Sequence, residues 1–430
     1  MDVRLSYGTT GLTVSLPGER TTVITPIPQE GAPDPAATLR SALGNPVAGP
    51  RLRELVNRGD SIAVSVCDLT RAQPREAMIR ALVEELDGVA DARQFTLLVA
   101  TGTHRGNTPE ELDEMLGEFA RSMRVINHDS RDADSLRWCG TIGDGVPVWL
   151  SRLWTDAAVK VTTGFVEPHF FAGFSGGPKM VAPGLAGLET TLTLHDARRI
   201  GSSRAIFAVC EGNPVHDDVR AIAAETGVDF AFDVTLNNDK EIVEAFAGEL
   251  FAMHLAARDA ARRQSMREVP HLFDVVVTTN SGFPLDQNLY QAVKGMTAAA
   301  SIVKPGGLIV CAAECRDGFP EHGQFRDGLT GASDVATLLA EIEQRTQTIP
   351  DQWQLQVLGR VLARARVALH SDYLSDEDIR AAHLTPVHDI SEVVAEECSR
   401  VGGDATVCAL PEGPQTIAYV TDRASAPAGV

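Results

Sequence analysis

Positive charge is scarce in this sequence. Its 38 Lys and Arg residues are outnumbered by 58 Asp and Glu residues, which gives the 430-residue chain a formal net charge of -20. Because the Lys and Arg residues form no basic cluster, a nucleic-acid partner is not expected. A small anionic substrate can still bind where local cations outweigh the overall field.

The sequence also lacks closely spaced cysteine pairs and long apolar runs. Seven cysteines are scattered without CxxC spacing, which argues against a disulfide framework or a zinc knuckle. Neither a signal peptide nor an apolar stretch of membrane-spanning length is visible, so we expect a cytoplasmic protein without a membrane partner. The absence of GxGxxG and GxxxxGK[ST] leaves a conventional nucleotide site unsupported.

Short apolar runs alternate with amphipathic helical stretches through most of the chain. The predicted strands are 61–66, 95–100, 157–164, 273–279 and 306–313. Helical periodicity fills intervals such as 75–86 and 109–123. This alternation predicts an α/β fold, with two α/β domains, largely parallel sheets and the active site in the cleft between the domains. Alternation around Gly8 and Gly11 predicts an N-terminal β-hairpin.

A domain boundary is expected near 260–270, where a charged helical stretch ends in a proline before a new strand. We predict an N-terminal α/β domain over 1–268 that carries the candidate catalytic motifs. A C-terminal α/β domain over 269–403 is expected to contribute substrate-binding residues. The segment 404–424 has the pattern of two short strands and is expected to rejoin the N-terminal domain.

Polar motifs follow two neighbouring apolar runs. Asp68 and Arg71 lie in DLTRAQP after the first run, and His104 lies in TGTHRG after the second. Ligands of parallel α/β sheets bind outside the carboxyl ends of the strands. Histidine suits acid–base work near neutrality, and arginine can clamp a carboxylate. A local Asp–Arg ion pair and a backbone-bonded loop histidine are the structural alternatives.

The segment 164–184, GFVEPHFFAGFSGGPKMVAPG, is the most informative part of the chain. It places His169 and Lys179 on either side of the turn Ser175–Gly176–Gly177. Such a turn can present backbone N–H groups to an anion, and a lysine in apolar surroundings is a usable nucleophile. The structural alternative is a glycine-rich turn whose lysine reaches solvent.

Two further motifs supply candidate ligands. His195, in TLTLHDARR, becomes a metal-ligand candidate only beside the preceding motif, and no HxH or HExxH spacing supports an ordinary zinc site. In NSGFPLDQNLYQAVKG, Tyr290 precedes Gln291 and Lys294, which are three residues apart on one helix face. The latter two side chains could hold a carboxylate, although a solvated helix start is the alternative.

Taken together, these motifs resemble the nickel-pincer lactate racemase family. The resemblance runs in order from about residue 60 to at least residue 325, where AAECRDGFPEHGQF also fits, and DQWQ at 351–354 extends it. The central motif is highly specific, whereas TGTHR alone is weak. Membership would imply an isomerase, namely a nickel-dependent racemase or epimerase of a small, lactate-like 2-hydroxy acid.

The resemblance also implies a cofactor. In that family it is a pyridinium-3,5-bisthiocarboxylic acid mononucleotide that holds nickel as a carbon–sulfur pincer. A thioamide would tether it to Lys179, and His195 would complete the nickel coordination. The cofactor-site residues would be Asp68, Ser175, Gly176 and Gly177. Separate cofactor-biosynthesis enzymes are the implied partners, so protein made in a host lacking them is expected without cofactor.

The implied chemistry assigns the remaining residues. His104 and His169 would flank the substrate as alternating acid and base. Arg71 and Lys294 would bind the carboxylate or stabilise a keto-acid intermediate, and Tyr290, Gln291 and Trp353 would orient the substrate. Removing the Cα hydrogen as hydride leaves a planar ketone that can receive hydride on its other face.

Two other functions remain open from the residues alone. A metal-free hydro-lyase or isomerase could use the same histidines by proton transfer. A non-catalytic cofactor carrier or hydroxy-acid sensor would need no acid–base pair. A covalent adduct on Lys179 distinguishes the racemase hypothesis from the metal-free enzyme.

Overall fold

A computed structural model describes residues 1–320 and 323–421 and divides the chain into two compact units. The N-terminal unit comprises Pro28–His195 and Ser202–Gln264. The C-terminal unit comprises Met1–Ile27, Asp196–Gly201 and the described residues from Ser265 onward. Each unit contains a large sheet that is largely or wholly parallel, which confirms the predicted α/β class. Glu321, His322 and residues 422–424, which fall within predicted segments, lie outside the described residues.

The N-terminal unit is built on a six-stranded sheet. Its strands, in spatial order, are Ile242–Gly248, Phe230–Leu236, Val159–Phe165, Ile62–Cys67, Phe95–Ala100 and Arg124–Asn127. All neighbours pair in parallel except the first two, which are antiparallel. Every residue of Ile62–Cys67 is buried, as expected for a central strand covered on both faces. Two hairpins are separate from the sheet, Leu136–Ile142 with Val146–Ser151 and Pro168–His169 with Gly173–Phe174.

The helices of this unit cover the sheet and carry the connections. They are Pro35–Gly44, Leu52–Leu55, Arg75–Glu85, Pro109–Leu116, Phe119–Ser122, Arg152–Thr155, Leu188–Leu194, Pro214–Thr226 and Leu250–Ser265, with short 3₁₀ helices at Ala92–Gln94, Ala133–Ser135 and Gly177–Met180. The apolar core lies against the sheet and includes Val64, Leu97 and Phe232.

The C-terminal unit contains a second six-stranded sheet, which is parallel throughout. Its strands, in spatial order, are Thr385–Pro386, Arg366–His370, Val303–Ala312, Phe273–Thr279, Val407–Leu410 and Thr21–Val23. Separate two-stranded sheets join Asp2–Leu5 to Leu12–Ser15 and Met266–Val269 to Ile417–Val420. Its helices are Ala197–Gly201, Leu289–Ala300, Phe325–Thr330, Val335–Gln344, Gln352–Arg364, Asp376–Ala381 and Ile390–Val401, with 3₁₀ helices at Gly18–Arg20 and Gly413–Gln415.

Across residues 1–320 and 323–421, no helix is both long enough and apolar enough to cross a membrane.

The predicted strands and the N-terminal hairpin are present with small shifts at their ends. The hairpin turns through Gly8 and Gly11, whose φ angles of 46° and 74° are left-handed. The helix predicted over 109–123 is instead two helices. Gly117, with φ 56°, ends the first of them, and Phe119 begins the second. A left-handed glycine cannot continue a right-handed helix, so this residue breaks the pattern.

The units differ from the predicted domain ranges at both ends of the chain. The segment 1–27 lies in the C-terminal unit because Thr21–Val23 pairs with Val407–Leu410. The segment 404–421 also stays there, because Val407–Leu410 pairs with Phe273–Thr279. Periodicity identifies a strand without identifying its partner, and these pairings join residues far apart in sequence.

Helix Leu289–Ala300 meets the end of strand Phe273–Thr279 at direct backbone contact. A Cβ atom at Gly295 would lie 2.0 Å from the carbonyl oxygen of Thr279. The Gly295 N–H donates to Oδ1 of Asn280 at 3.1 Å. Glycine at this position therefore lets the helix lie against the carboxyl end of the strand.

We expect Gly295→Ala to lower the free energy of unfolding by at least about 2 kcal/mol, because the added methyl group must displace backbone atoms. Gly44→Ala is the matched control. Gly44 ends helix Pro35–Gly44, and a Cβ atom there meets nothing within 4 Å. Urea unfolding followed by circular dichroism checks both variants, and equal effects would contradict the packing argument.

Candidate active site

Asp68 and His104 come together at the carboxyl edge of the N-terminal sheet. They follow the parallel strands Ile62–Cys67 and Phe95–Ala100, whose last residues are in register. Asp68 Oδ2 lies 2.6 Å from His104 Nδ1. The carboxylate is buried, whereas the imidazole is half exposed. The pair therefore combines a shielded carboxylate with an imidazole open to solvent.

The charge state of Asp68 favours this pair. Burial alone would raise the pKa of Asp68, but hydrogen bonds from His104 and Thr70 and the charge of Arg71 lower it below its ordinary value. The ionised carboxylate accepts a hydrogen bond, so Nδ1 of His104 carries the proton and Nε2 carries the lone pair. Asp68 is thus paired with His104 and not with Arg71, whose side chain is exposed.

A buried arginine that the sequence analysis missed supports the loop after Ile62–Cys67. The guanidinium of Arg75 donates to the carbonyl oxygens of Cys67 and Arg71, both at 2.7 Å, and to that of Asp68. Three donors on one planar group fix three carbonyls of the loop. The residue was overlooked because an arginine in a first helical turn ordinarily faces solvent.

His169 lies on a small hairpin beyond strand Val159–Phe165. The strands Pro168–His169 and Gly173–Phe174 pair antiparallel, and the turn between them carries Phe170 and Phe171. Nδ1 of His169 accepts a hydrogen bond from the Ala172 N–H at 3.2 Å. In the neutral ring the proton is therefore on Nε2.

Phe171, which the sequence analysis did not single out, brings three predicted residues together. Its ring centroid lies 4.5 Å from that of His169 and 5.3 Å from that of His195. The Lys179 ammonium lies 5.9 Å from the same centroid. Phe171 is itself buried, so these three polar side chains share an apolar wall. In the sequence, the only indication of this role was that the residue is one of two consecutive phenylalanines.

His195 is oriented by the helix that precedes it. It caps the C-terminus of Leu188–Leu194, and its Nδ1 lies 2.7 Å from the carbonyl oxygen of Thr191. A carbonyl can only accept, so Nδ1 donates and the lone pair is on Nε2. Metal-binding histidines commonly have their tautomer fixed in this way. The ring is buried.

The Ser175–Gly177 turn precedes Lys179 and makes hydrogen bonds within the protein. Ser175 N–H donates to the carbonyl of Glu167 at 2.9 Å, and Gly177 N–H donates to Oδ2 of Asp233 at 2.7 Å. The sequence analysis noted that such a turn can present N–H groups to an anion. In the structure, the N–H groups of Ser175 and Gly177 make these hydrogen bonds within the protein.

Two buried titratable residues that were not predicted lie against this turn. Asp233 is fully buried, and burial raises its pKa to about 7 despite hydrogen bonds from the backbone of Gly177 and Gly164. His254 is also buried, and its Nε2 lies 2.9 Å from the carbonyl oxygen of Ser175. Burial and the charge of Arg258 hold the pKa of His254 well below its ordinary value, so the neutral ring donates to Ser175.

The remaining predicted residues lie in the C-terminal unit. Helix Leu289–Ala300 carries Tyr290, Gln291 and Lys294, and Lys294 Nζ donates to Gln291 Oε1 at 2.6 Å. The predicted shared face of this helix is therefore present. Trp353 Nε1 donates to the Tyr290 hydroxyl at 3.0 Å, and the buried Gln354, another missed residue, donates to the Tyr290 carbonyl at 2.5 Å.

Family models match most of the chain. The lactate racemase N-terminal domain matches residues 7–207, and the lactate racemase C-terminal domain matches residues 270–418. The chain is 33% identical to a lactate racemase of Thermoanaerobacterium thermosaccharolyticum, over 97% of this chain and 99% of the relative. It is 34% identical to one of Lactiplantibacillus plantarum, over 87% and 89%.

Solved structures agree with these matches. The lactate racemase apoprotein of T. thermosaccharolyticum superposes with a TM-score of 0.91 at 32% identity, covering 97% of this chain and all of that one. A Thermotoga maritima protein at 18% identity, with a TM-score of 0.64, shares the fold.

The fold defines an α/β protein, and its candidate site contains histidines whose tautomers are set by neighbouring groups. The chain belongs to the lactate racemase family. Lactate racemases are isomerases.

The pKa of Asp233 gives a measurable signature. The pKa of Asp233 is about 7 in the folded state, compared with an ordinary value of 3.8. Between these pH values the folded protein therefore binds more protons than the unfolded chain, and the contribution of Asp233 to the free energy of unfolding falls as pH rises. We expect the free energy of unfolding of Asp233→Asn to increase relative to that of the wild type from pH 4 to 7, by at most about 1.4 kcal/mol per pH unit. Urea unfolding at a series of pH values tests this, and a pH-independent difference would contradict it.

Proposed function

We propose that this protein is a racemase or epimerase of a lactate-like 2-hydroxy acid that uses a nickel-pincer nucleotide attached to Lys179. The observation that carries the proposal is the grouping of His169, Lys179 and His195 around Phe171. Family membership and near full-length matches to two lactate racemases support the same reaction.

The residues present fit such a cofactor. His195 would be the protein ligand to nickel, because its tautomer puts a lone pair on Nε2. Lys179 would supply the amine for attachment, next to the apolar face of Phe171. Asp68 and the Ser175–Gly177 turn would complete the surroundings of the cofactor. When bound, the cofactor would supply a reversible hydride acceptor at its pyridinium ring.

His104 is the residue prepared to act as a base. Its Nδ1–H is held by Asp68, and Nε2 is the atom that would take the hydroxyl proton of one enantiomer. As the ring becomes positively charged, the buried carboxylate at 2.6 Å stabilises it. Asp68 would thus both orient the imidazole and balance its charge.

His169 has the opposite tautomer to His104. Its neutral ring holds a proton on Nε2, which can donate a hydrogen bond to a substrate oxygen. To accept a proton at Nε2, the ring must first give up the hydrogen bond from Ala172. The two histidines would therefore exchange roles between the two directions of the reaction.

Cations would bind the substrate carboxylate. Arg71 is exposed beside Asp68 and would serve as a charge-assisted donor. Lys294 is oriented by Gln291, so its ammonium has a defined direction. Tyr290 and Trp353, joined through the Tyr290 hydroxyl, would restrict the orientation of the substrate.

Replacing either catalytic histidine tests the two-residue scheme. We expect His104→Asn and His169→Asn each to reduce racemisation by at least about 100-fold, because each residue serves one face of the substrate. The matched control is His388→Asn, which removes an exposed histidine paired with Asp376 at 3.2 Å. Chiral chromatography of both enantiomers is the measurement, and normal racemisation by either site variant would refute the scheme.

Attachment at Lys179 is tested by intact-protein and peptide mass spectrometry with nickel analysis. On protein co-produced with the cofactor-making enzymes, we expect an adduct at Lys179 and about one nickel per chain. Lys179→Ala should lack both and show no racemisation, whereas the control Lys160→Ala should keep both. No adduct and no nickel, under conditions that load a known family member, would favour metal-free acid–base chemistry or a sensor.

A further inference from the structure

A buried carboxylate lies directly beneath the turn that leads to Lys179. Asp233 is on strand Phe230–Leu236, in register with Gly164 of the neighbouring strand Val159–Phe165. It is fully buried, and its Oδ2 accepts the Gly177 N–H at 2.7 Å. Burying a carboxylate is unfavourable unless its contacts compensate for the loss of hydration.

The turn packs on two side chains too closely for any residue but glycine. A Cβ atom at Gly176 would lie 2.6 Å from Oδ2 of Asp233, and one at Gly177 would lie 2.5 Å from the ring of His254. Both glycines have left-handed φ angles, 68° and 51°. The backbone of the turn is therefore seated directly on Asp233 and His254.

The two side chains hold opposite polar groups of the turn. His254 donates from Nε2 to the Ser175 carbonyl at 2.9 Å, and Asp233 accepts from the Gly177 N–H. The 3₁₀ helix Gly177–Met180 begins at once, with Lys179 N–H donating to the Gly176 carbonyl at 3.2 Å. Only Pro178 separates the anchored Gly177 from Lys179.

We infer that Asp233, together with His254, is a positioning residue that fixes the Ser175–Gly177 turn and so presents the Lys179 amine for attachment of the cofactor. The inference rests on the proposed function of Lys179 as the attachment point. Among the described residues Asp233 has no ion-pair partner, and its burial raises its pKa to about 7, which is consistent with a group retained for its contact with the turn.

A matched pair of variants separates positioning from general stability. Asp218 lies in the same unit, is buried, and accepts the Asp144 N–H at 2.7 Å in a different turn. After co-production with the cofactor-making enzymes, we expect Asp233→Ala to carry at least about fivefold less adduct on Lys179 than the wild type, because a preorganised amine reacts faster. Asp218→Ala should load normally.

A conservative variant and a cofactor-independent readout complete the test. Asp233→Asn keeps an oxygen that can accept the Gly177 N–H, so we expect it to restore loading. In protein without cofactor, hydrogen–deuterium exchange of the peptide spanning 171–182 should be at least about tenfold faster in Asp233→Ala and unchanged in Asp218→Ala. Wild-type loading or wild-type exchange in Asp233→Ala would overturn the inference.

The two readouts separate this inference from the function it rests on. If wild-type protein carries no adduct, the proposed function fails, while the exchange measurement still decides whether Asp233 holds the turn. If Asp233→Ala does not fold, His254→Phe replaces it, because the phenyl ring can still pack on Gly177 but cannot donate to Ser175. For His254→Phe we expect faster hydrogen–deuterium exchange at 171–182 and less adduct on Lys179 than in the wild type. Wild-type exchange or wild-type loading in this variant would overturn the inference.

Discussion

The parallel pairing of three neighbouring strands is the constraint on which the candidate site depends. Val159–Phe165, Ile62–Cys67 and Phe95–Ala100 run in the same direction, so the segments that follow them all leave from one edge of the sheet. Three separate stretches of sequence therefore meet at that edge, and they contain Asp68, His104 and the His169 hairpin. Reversing any one of these strands would send its motif to the opposite edge.

At this candidate site, the hydrogen bond at Nδ1 of each imidazole determines which tautomer the ring adopts. His104 donates to a carboxylate, His195 donates to a helix carbonyl, and His169 accepts from a backbone N–H. Nε2 therefore carries a lone pair in His104 and His195 and a proton in His169. Under the proposed function, one residue type would supply a base, a metal ligand and a proton donor because the groups that contact Nδ1 differ.

The sequence predicted the strands and motifs better than their partners. Apolar runs located five strands of the two large sheets, and residue type singled out Lys179 and the histidines as candidates, because both signals are local. The pairing of Asp68 with His104, the Phe171 wall and the seat formed by Asp233 and His254 join residues far apart in sequence, so no local pattern encodes them. Arg75 escaped notice because helix periodicity does not show that its guanidinium turns inward.

The placement of Thr21–Val23 has a consequence for biosynthesis. The ribosome synthesises this strand nearly 400 residues before its partner Val407–Leu410. At ordinary translation rates the interval is on the order of tens of seconds. The nascent chain must keep an unpaired strand soluble throughout that time, while the residues of the N-terminal unit are already available to fold.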